Sequence, residues 1–369
     1  MAPPNDKPSL KSVLVTGGCG FIGHHLVSAI LEVEPNCKVY AFDIDTNRPS
    51  RQHASAIYIT GDITDPSAVD AAFAAMANPP LVIFHIACPP SMEPDPQLHW
   101  RVSVEGTRNL LATADRDGGT RVLVLTSSTA VGYDDVAELR DVKELPVLDA
   151  SKQSRSYSLA KGVSEQEVIA ANRKNANGML TCALRPCTTF GPDDPLFFEN
   201  ILNVVKRGQE KYRFGSGENL YDFVYVDNVC HAHLLAARAL IAAHREAPLP
   251  AAERVEGEVF NITNDERIPF WDFTMRTSNL FGSPITHNDV VSIPKPIGLT
   301  IGFLAEWLVW AFSLGKRRSA VSTAAVRYAV SSYTLNIDKA NERLQYSPPV
   351  GLQEGLDRTV DWYKKQRKW

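Results

Sequence analysis

The chain has 369 residues, of which 44% are hydrophobic and 22% are charged, as is usual for a large globular protein. Its formal net charge of -4 gives no indication of a nucleic-acid partner. The six cysteines are scattered without C-x-x-C pairs, so we expect reduced thiols in a cytosol-facing protein, with neither disulfides nor a metal site. The first twelve residues are polar, and we expect no secretory signal there.

Short apolar runs in the first half of the chain alternate with helical stretches. The runs occupy residues 12–18, 38–44, 56–63, 81–87, 121–128 and 178–192. Strands that are apolar on both faces and alternate with helices are typical of a parallel sheet covered on both sides. We therefore predict an α/β fold with a doubly wound, Rossmann-type parallel sheet up to about residue 190.

The second half of the chain changes in character. A strand-then-helix pattern at 221–244 and a further strand at 259–263 are followed by mostly helical patterns with proline breaks. We predict a smaller, mostly helical C-terminal substrate domain beside the Rossmann domain. In residue numbers, the Rossmann domain is 1–190, completed by about 221–262, and the substrate-binding region is 191–220 with 263–369.

Three glycines lie between the first predicted strand and the first predicted helix. Gly17, Gly20 and Gly23 have G-x-x-G-x-x-G spacing, with Phe21 and Ile22 between the last two. Glycine permits the tight turn and lets the backbone approach a pyrophosphate, which the helix N-terminus attracts through its N–H groups and dipole. Because the turn has the right strand–turn–helix context, it predicts a dinucleotide-binding site.

Two aspartates that follow the next strands are candidates for the rest of that site. Asp43 ends the second strand, about 20 residues after the turn, where a carboxylate accepts hydrogen bonds from ribose hydroxyls and repels a 2′-phosphate. It favours NAD over NADP, although Asp45 is a nearby competitor. Asp62, after the third strand, either reaches the adenine edge or is a turn aspartate.

Tyr157 and Lys161 stand four residues apart at the head of a predicted helix. Positions i and i+4 share one helix face, so the tyrosine hydroxyl would feel the lysine charge. A tyrosine with a pKa near ~10 is a poor base at neutral pH unless a cation stabilises its phenolate. Taken alone, the pair fits either an active site or a solvated helix surface.

Several motifs occur in an order that resembles the extended short-chain dehydrogenase/reductases. They are "TGGCGFIG", "GDIT", "HIA", "VLTSST", "YSLAK" and "LRPCTTFGP". Within that superfamily the chain resembles the 3β-hydroxysteroid dehydrogenase family, and most closely the decarboxylating sterol-4α-carboxylate 3-dehydrogenases. The more discriminating stretches include "NLYDFVYVDNVCHAHLLAA", "FLAEWLVW" and "YSPPVGLQEGL".

The resemblance implies roles for individual residues. Tyr157 would be the catalytic acid/base, Lys161 would lower its pKa and bind the nicotinamide ribose, and Ser128 would hold the reacting oxygen. Ser127 and Thr129 flank Ser128 and are alternatives to it. The cofactor contacts would come from the three glycines, Tyr157 and Lys161 together with Phe21, Ile22, Asp43, Asp62, Ile63, Ala87 and Pro186.

Two segments depart from the family pattern. Ser103 in "SVEGT" replaces an asparagine that, in the family, helps to order the helix beneath the catalytic lysine. Residues 137–156 also differ from the family's usual proline-rich approach to the catalytic tyrosine. Both departures bear on the substrate more than on the reaction.

The most apolar segment of the chain is 296–318. It approaches the ~18–20 residues needed to span a bilayer, but Glu306 lies in its middle. It is a core or lid helix of the substrate domain, an interfacial segment anchored by Trp307, Trp310 and the Lys316-Arg317-Arg318 cluster, or a membrane span. We expect a cytosol-facing protein associated with the endoplasmic reticulum membrane, the alternative being a cytoplasmic one.

The resemblance implies NAD-dependent oxidation of a sterol 3β-hydroxyl, with loss of CO2 where the substrate carries a 4α-carboxylate. One alternative is a 3β-alcohol dehydrogenase acting on a specialised triterpenoid or meroterpenoid. Less favoured are a nucleotide-sugar epimerase or dehydratase, because a polar substrate needs no wall such as "FLAEWLVW", and a non-catalytic NAD-binding regulator. A homodimer is suggested by analogy with the fold alone.

Overall fold

The computed structural model describes residues 8–134, 136–174, 178–244, 246–313 and 321–366. Within these residues, seven parallel strands form one sheet in the order β11-β7-β5-β4-β1-β2-β3. Its strands are β1 Ser12–Thr16, β2 Lys38–Asp43, β3 Ile57–Thr60, β4 Val82–His85, β5 Val122–Thr126, β7 Leu180–Pro186 and β11 Val259–Ile262. The predicted doubly wound Rossmann sheet is confirmed.

Helices cover both faces of this sheet because its strands are apolar on both sides. β5 and β7 are buried along their whole length, and two apolar clusters fill the two sides. The covering helices are α1 Phe21–Val33, α2 Pro66–Ala74, α3 Pro96–Trp100, α4 Gly106–Asp117, α5 Ser156–Ala170 and α7 Val226–Ala243. Strand order reverses between β1 and β4, the place where such sheets bind their ligands.

Residues 96–117 form one continuous helical run with an irregular turn. α3 and α4 are joined by a π-helical turn at Arg101–Glu105, which holds Ser103. Such turns occur often at functional sites because they change the direction of backbone groups. This π-helical turn packs directly against α5.

Short strands build a second sheet beside the first. They are β6 Leu139–Val142, β8 Thr188–Phe190, β10 Leu220–Tyr225, β12 Arg267–Pro269 and β14 Tyr333–Leu335. β10 and β11 lie near the two ends of the stretch predicted to complete the Rossmann domain. β10 belongs to this second sheet, whereas β11 extends the first. β9 Tyr212–Phe214 pairs with β13 Val291–Ile293.

The C-terminal region is mostly helical, as predicted. Its helices are α6 Phe197–Lys206, α8 Phe270–Leu280, α9 Lys295–Ser313, α10 Thr323–Val330, α11 Asp338–Leu344 and α12 Leu352–Lys365. α9 packs against α10 and leaves most of its surface exposed. The interpretation of this segment as a core helix is therefore wrong.

Candidate active site

The glycine turn after β1 brings three segments of backbone into close contact. Gly17 has a φ of +69°, and a Cβ there would lie 2.9 Å from Ala87 Cα. A Cβ on Gly23 would lie 1.9 Å from the Gly17 carbonyl oxygen, a distance that no side chain tolerates. Gly20 precedes α1, and no side chain among the described residues caps that helix, so its first N–H groups face the turn.

Asp43 lies directly against this turn. Its Oδ2 accepts a hydrogen bond from the Cys19 N–H at 2.9 Å, and its Oδ1 accepts one from the Asp45 N–H at 3.1 Å. The competing Asp45 instead pairs with Arg48 Nε at 2.9 Å. Of the two aspartates, the structure brings Asp43 to the turn.

The other predicted cofactor contacts surround the same strand ends. Asp62 Oδ1 accepts the Thr64 N–H at 2.8 Å, which is the geometry of a turn aspartate. Ile63 packs against Gly106 at the start of α4, and Pro186 closes β7. Phe21 and Ile22 are half-buried at the start of α1.

Tyr157 and Ser128 meet at the carboxyl end of β5. Tyr157 lies in the first turn of α5 and takes a hydrogen bond from the Ser128 hydroxyl. Ser128 also caps a short 3-10 turn, where its Oγ accepts the Ala130 N–H at 3.2 Å. The predicted pair is therefore adjacent in the structure.

The two neighbours of Ser128 are engaged elsewhere. The Ser127 hydroxyl donates to Glu165 Oε2 at 2.6 Å, beside the buried ion pair between Glu165 and Arg185. The Thr129 hydroxyl accepts from Tyr333 Oη at 2.6 Å. Of the three consecutive hydroxyls, Ser128 is the one that the structure places on Tyr157.

Lys161 lies one turn after Tyr157 and is buried. Its Nζ donates to the Thr126 carbonyl, at the end of β5, at 2.6 Å. The charge of Lys161 helps burial to lower the pKa of two histidines, that of His85 to about 3 and that of His233 to about 4. The lysine is therefore held at the end of β5, where its charge acts on His85 and His233.

The pKa of Tyr157 is raised above its ordinary value, although the resemblance implies that Lys161 lowers it. Burial is the largest cause, and a charge on Cys88 adds to it. The hydrogen bond from Ser128 and the charge of Arg155 lower the pKa without offsetting burial. In this structure the direction of the Tyr157 shift is thus set by desolvation.

Sequence reasoning missed residues that hold the start of α5. His99 Nδ1 lies 3.0 Å from Ser156 Oγ, and the His99 ring meets the Tyr157 ring edge-on at 5.8 Å. His99 Nε2 lies 3.0 Å from the Pro90 carbonyl. His99 stands 57 residues before Ser156, and no motif spacing links two residues so far apart.

A tyrosine cluster on the substrate side was also missed. Tyr328 of α10 lies 2.6 Å from the Thr188 hydroxyl, which in turn lies 3.0 Å from Tyr221 Oη. These contacts join the C-terminal region to the segment that follows Pro186. They therefore tie α10 to the second sheet.

Solved structures support the fold. A UDP-glucose 4-epimerase from Thermotoga maritima superposes with a TM-score of 0.70 at 23% identity, covering 96% of this chain and 99% of the other. A UDP-glucose 4-epimerase from Thermus thermophilus, solved with NAD, has a TM-score of 0.65 at 20% identity, covering 96% and 99%. At these identities the likeness establishes the Rossmann-type fold and nothing finer.

Curated relatives are closer in sequence. The decarboxylating sterol-4-alpha-carboxylate 3-dehydrogenase of Schizosaccharomyces pombe is 31% identical over 97% of this chain and 99% of its own length. The mouse enzyme of that name is 32% identical over 99% and 94%. A 3beta-hydroxysteroid-dehydrogenase/decarboxylase of Arabidopsis thaliana is 33% identical, and this chain spans 61% of its length.

A family model also matches most of the chain. The match covers residues 14–294, from the first strand of the Rossmann sheet to the approach to α9. It includes the glycine turn, Ser128, Tyr157 and Lys161. The chain therefore belongs to the 3-beta hydroxysteroid dehydrogenase/isomerase family.

Proposed function

We propose that this chain is an NAD-dependent dehydrogenase that oxidises the 3β-hydroxyl of a sterol. The substrate carries a 4α-carboxylate, and the product is a 3-ketosteroid formed with loss of CO2. The observation that carries the proposal is the meeting of Tyr157, Ser128 and Lys161 at the end of β5. β5 pairs with β4, and the segment after β4 contacts the glycine turn. The names of full-length relatives supply the substrate class.

The residues around β1 fit a dinucleotide. Gly17 and Gly23 let the turn pack tightly against the segment after β4 and against the start of α1, the geometry that a dinucleotide-binding turn needs. Asp43 would hold the adenosine ribose through its carboxylate, which favours NAD over NADP. NAD, when bound, supplies an acceptor for the hydride that leaves C3.

The chain's own residues manage the proton and the oxygen. Tyr157 as phenolate takes the proton of the 3β-hydroxyl, while the Ser128 hydroxyl hydrogen-bonds the reacting oxygen. Only the phenolate accepts this proton, so the oxidation rate rises with pH. Burial raises the pKa of Tyr157 and so moves this rise to higher pH. The resulting β-keto acid loses CO2 as the C4–carboxyl bond breaks and its electrons pass to the C3 ketone.

Purified protein tests the proposal directly. It is given NAD or NADP and either a 4α-carboxy-3β-hydroxysterol or the same sterol without the carboxylate, and NADH formation and product mass are followed. We expect NADH and loss of CO2 from the carboxylated sterol. Turnover of the plain 3β-alcohol alone would replace the proposal with a general sterol or terpenoid dehydrogenase, and no turnover of either would remove the sterol assignment.

We also propose that α9 rests on a membrane surface. After Lys295 its outward residues are uncharged, with Trp307 58%, Trp310 63% and Phe312 88% accessible. The helix is long and apolar enough to cross a bilayer by composition. Aromatic residues on one face of an exposed helix are typical of interfacial binding.

The inner face of α9 explains why it lies on the surface instead of crossing. A Cβ on Gly302 would lie 2.8 Å from Thr323 N, so this face packs tightly on α10. Glu306, the acidic residue of the segment, turns inward, and its carboxylate accepts from Thr323 N–H at 3.1 Å and from the Thr323 hydroxyl at 3.0 Å. The expected basic anchor, Lys316-Arg317-Arg318, lies outside the described residues.

The membrane proposed is the cytosolic face of the endoplasmic reticulum, where a sterol substrate would partition. A second copy of the chain is the alternative cover for the same apolar face, which would make the protein a homodimer. Lipid is favoured because the exposed aromatic residues extend to the last described turn of α9. If α9 binds lipid, adding vesicles buries the tryptophans. If α9 binds a second copy, raising the protein concentration buries them.

A further inference from the structure

A buried chain of polar groups lies beneath α5, and the proposed chemistry does not use it. Thr16 Oγ1 lies 2.7 Å from His85 Nδ1, and His85 Nε2 lies 2.8 Å from Thr107 Oγ1. Thr107 Oγ1 also lies 2.5 Å from the Ser103 carbonyl oxygen and 2.8 Å from Ser164 Oγ. None of the five residues is more than 2% exposed, so water does not compete for these groups.

Counting donors assigns every proton around Thr107. A hydroxyl donates one hydrogen bond and accepts two, whereas a carbonyl oxygen only accepts. Thr107 must therefore donate to the Ser103 carbonyl and accept from both His85 and Ser164. It follows that His85 carries its proton on Nε2 and accepts at Nδ1.

Donors and acceptors also match at Thr16, the other end of this hydrogen-bonded chain. Thr16 donates to His85 Nδ1, and its oxygen accepts the Ile86 and Ala87 N–H groups, each at 3.2 Å. A protonated His85 would leave the Thr16 proton without an acceptor. Burial, helped by the charge of Lys161, lowers the pKa of His85 to about 3, in agreement with a neutral imidazole.

The chain of hydrogen bonds joins the catalytic helix to the cofactor side of the sheet. Thr16 ends β1 and His85 ends β4, the two strands between which the strand order reverses. Ser164 stands three residues after Lys161 on α5, so both face the same side of that helix. Thr107 is the only member that binds α5, through Ser164, and the strand ends, through His85.

We infer that Thr107 is a positioning residue whose hydroxyl fixes α5, and with it Tyr157 and Lys161, against the strand ends that bind the cofactor. The inference rests on the proposed function, which makes Tyr157 the proton acceptor, and on the phenolate-stabilising role that the family resemblance gives to Lys161. The Ser103 hydroxyl contacts Cys88 Sγ at 3.5 Å, a weak interaction, and only its carbonyl joins the chain. The ordering role that the family resemblance gives to an asparagine at 103 thus passes to Thr107.

Three variants of the full-length protein test this role. Thr107→Val keeps the shape and removes the hydroxyl, Thr107→Ser keeps the hydroxyl, and Thr277→Val is the matched control. Thr277 is equally buried, and its hydroxyl donates to the Phe273 carbonyl one turn back within α8. Turnover of the 4α-carboxysterol, its pH profile and the hydrogen exchange of α5 amides are measured for each.

For Thr107→Val we expect kcat to fall about tenfold, the scale of a small misplacement at the reacting atoms. The acidic limb of the kcat/KM profile moves up by about one pH unit, because a displaced ammonium stabilises the Tyr157 phenolate less. The α5 amides exchange faster. Thr107→Ser restores all three properties, and Thr277→Val leaves them unchanged.

Two results would overturn the inference. One is a Thr107→Val variant with the wild-type pH profile, whether or not its melting temperature falls, since a merely structural threonine would behave in that way. The other is unchanged exchange of the α5 amides in Thr107→Val. If the wild-type protein turns over no sterol, the proposed function fails, and the exchange of α5 still decides whether Thr107 positions the helix.

Discussion

The ends of the Rossmann strands and the α9 surface place polar and apolar groups in opposite ways. Thr16 and His85 at the strand ends, and Thr107 beside them on α4, are polar and fully buried, and each has its hydrogen-bonding capacity used. On α9, Trp307 and Trp310 are apolar and mostly exposed. Both arrangements cost free energy unless something compensates for them.

The compensation differs between the two regions. At the strand ends it is internal, because each buried donor meets an acceptor within the protein. On α9 the inner face is satisfied by α10, through Gly302 and Glu306, while the outer face lacks cover within the described part of the chain. The first region is therefore suited to hold catalytic groups rigidly, and the second is suited to bind a membrane or another protein surface.

The largest expected effect distinguishes catalysis at the strand ends from membrane binding by α9. Tyr157→Phe removes the proton acceptor, so we expect kcat to fall about 10³-fold, within the usual range for loss of a general base. NADH still binds, because the glycine turn and Asp43 are unchanged, and vesicle binding stays at the wild-type value. Steady-state kinetics measure kcat, NADH fluorescence measures cofactor binding, and co-sedimentation measures vesicle binding.

Tyr212→Phe is the control for that variant. Tyr212 is 47% exposed on β9, away from the strand ends, and its loss of a hydroxyl should change nothing measured. A Tyr157→Phe variant that kept more than about a tenth of the wild-type rate would assign the proton transfer to another group.

The next effect concerns the surface. Replacing Trp307 and Trp310 together by serine should weaken binding to phosphatidylcholine vesicles at least about tenfold, because each buried aromatic contributes roughly 1.5–3 kcal/mol. Turnover of a detergent-dispersed sterol should not change. Co-sedimentation and tryptophan fluorescence measure the binding.

Leu249→Ser is the matched control for the tryptophan pair, since Leu249 is 49% exposed on a loop after α7. Equal binding of wild type and the double variant would exclude the lipid surface. A wild-type dimer in light scattering that the double variant abolishes would assign α9 to a second copy of the chain instead.

The sheet and the glycine turn were predictable because their signals are local. Strand and helix patterns alternate along the chain, and Gly17, Gly20 and Gly23 stand together in one stretch. Asp43 could be placed at the second strand end, and Tyr157 with Lys161 on one helix face. The structure confirms the fold and brings Asp43 to the turn and Ser128 to Tyr157.

Contacts between distant segments were not predictable. Thr16, His85 and Thr107 lie within quoted motifs, yet nothing in their spacing shows that their side chains meet. The choice of Ser128 over Ser127 and Thr129 also depended on partners far along the chain. These partners are Glu165 for Ser127 and Tyr333 for Thr129.

The exposure of α9 could not be predicted from its composition either. A long apolar helix looks the same in sequence whether the fold buries it or leaves it on the surface, and α9 is on the surface. The strands of the second sheet are three to six residues long, too short to give a clear alternation, so the sequence could not show that β10 and β11 belong to different sheets.

A smaller effect is expected in that second sheet, at a buried carboxylate that lacks full compensation. Asp222 of β10 is 1% exposed, and its Oδ1 has no hydrogen-bond partner within the described chain. Its Oδ2 accepts the Leu335 N–H at 2.7 Å, and Arg267 Nε lies 3.8 Å away. Burial outweighs both contacts and raises the pKa of Asp222 to about 6.

Asp222→Asn should therefore change how stability depends on pH. A carboxyl whose pKa is raised on folding binds its proton more tightly in the folded state, so the free energy of unfolding falls as pH rises from about 4 to about 6. The asparagine variant lacks this fall. Relative to wild type it should gain about 2–3 kcal/mol between pH 4 and pH 8, since one pKa unit corresponds to about 1.4 kcal/mol.

Urea unfolding at several pH values measures that difference, and only its change with pH matters, because the amide adds a constant offset of its own. Asp357→Asn is the control, since Asp357 is exposed on α12. A constant difference between wild type and Asp222→Asn across this range would mean that Asp222 is ionised without penalty.

The smallest effect is expected at Ser103, where it decides between backbone and side chain. Ser103→Ala keeps the carbonyl that accepts from Thr107 and removes only the hydroxyl beside Cys88 Sγ. Since that hydroxyl contact is weak, we expect kcat to change no more than about twofold, which corresponds to less than ~1 kcal/mol. A loss as large as that of Thr107→Val would show that the Ser103 side chain itself orders α5. The backbone of the π-helical turn would then be incidental, and the short serine would do the work that the family assigns to its asparagine. The twofold outcome instead leaves the Ser103 carbonyl and the Thr107 hydroxyl as the groups through which this turn supports the catalytic helix.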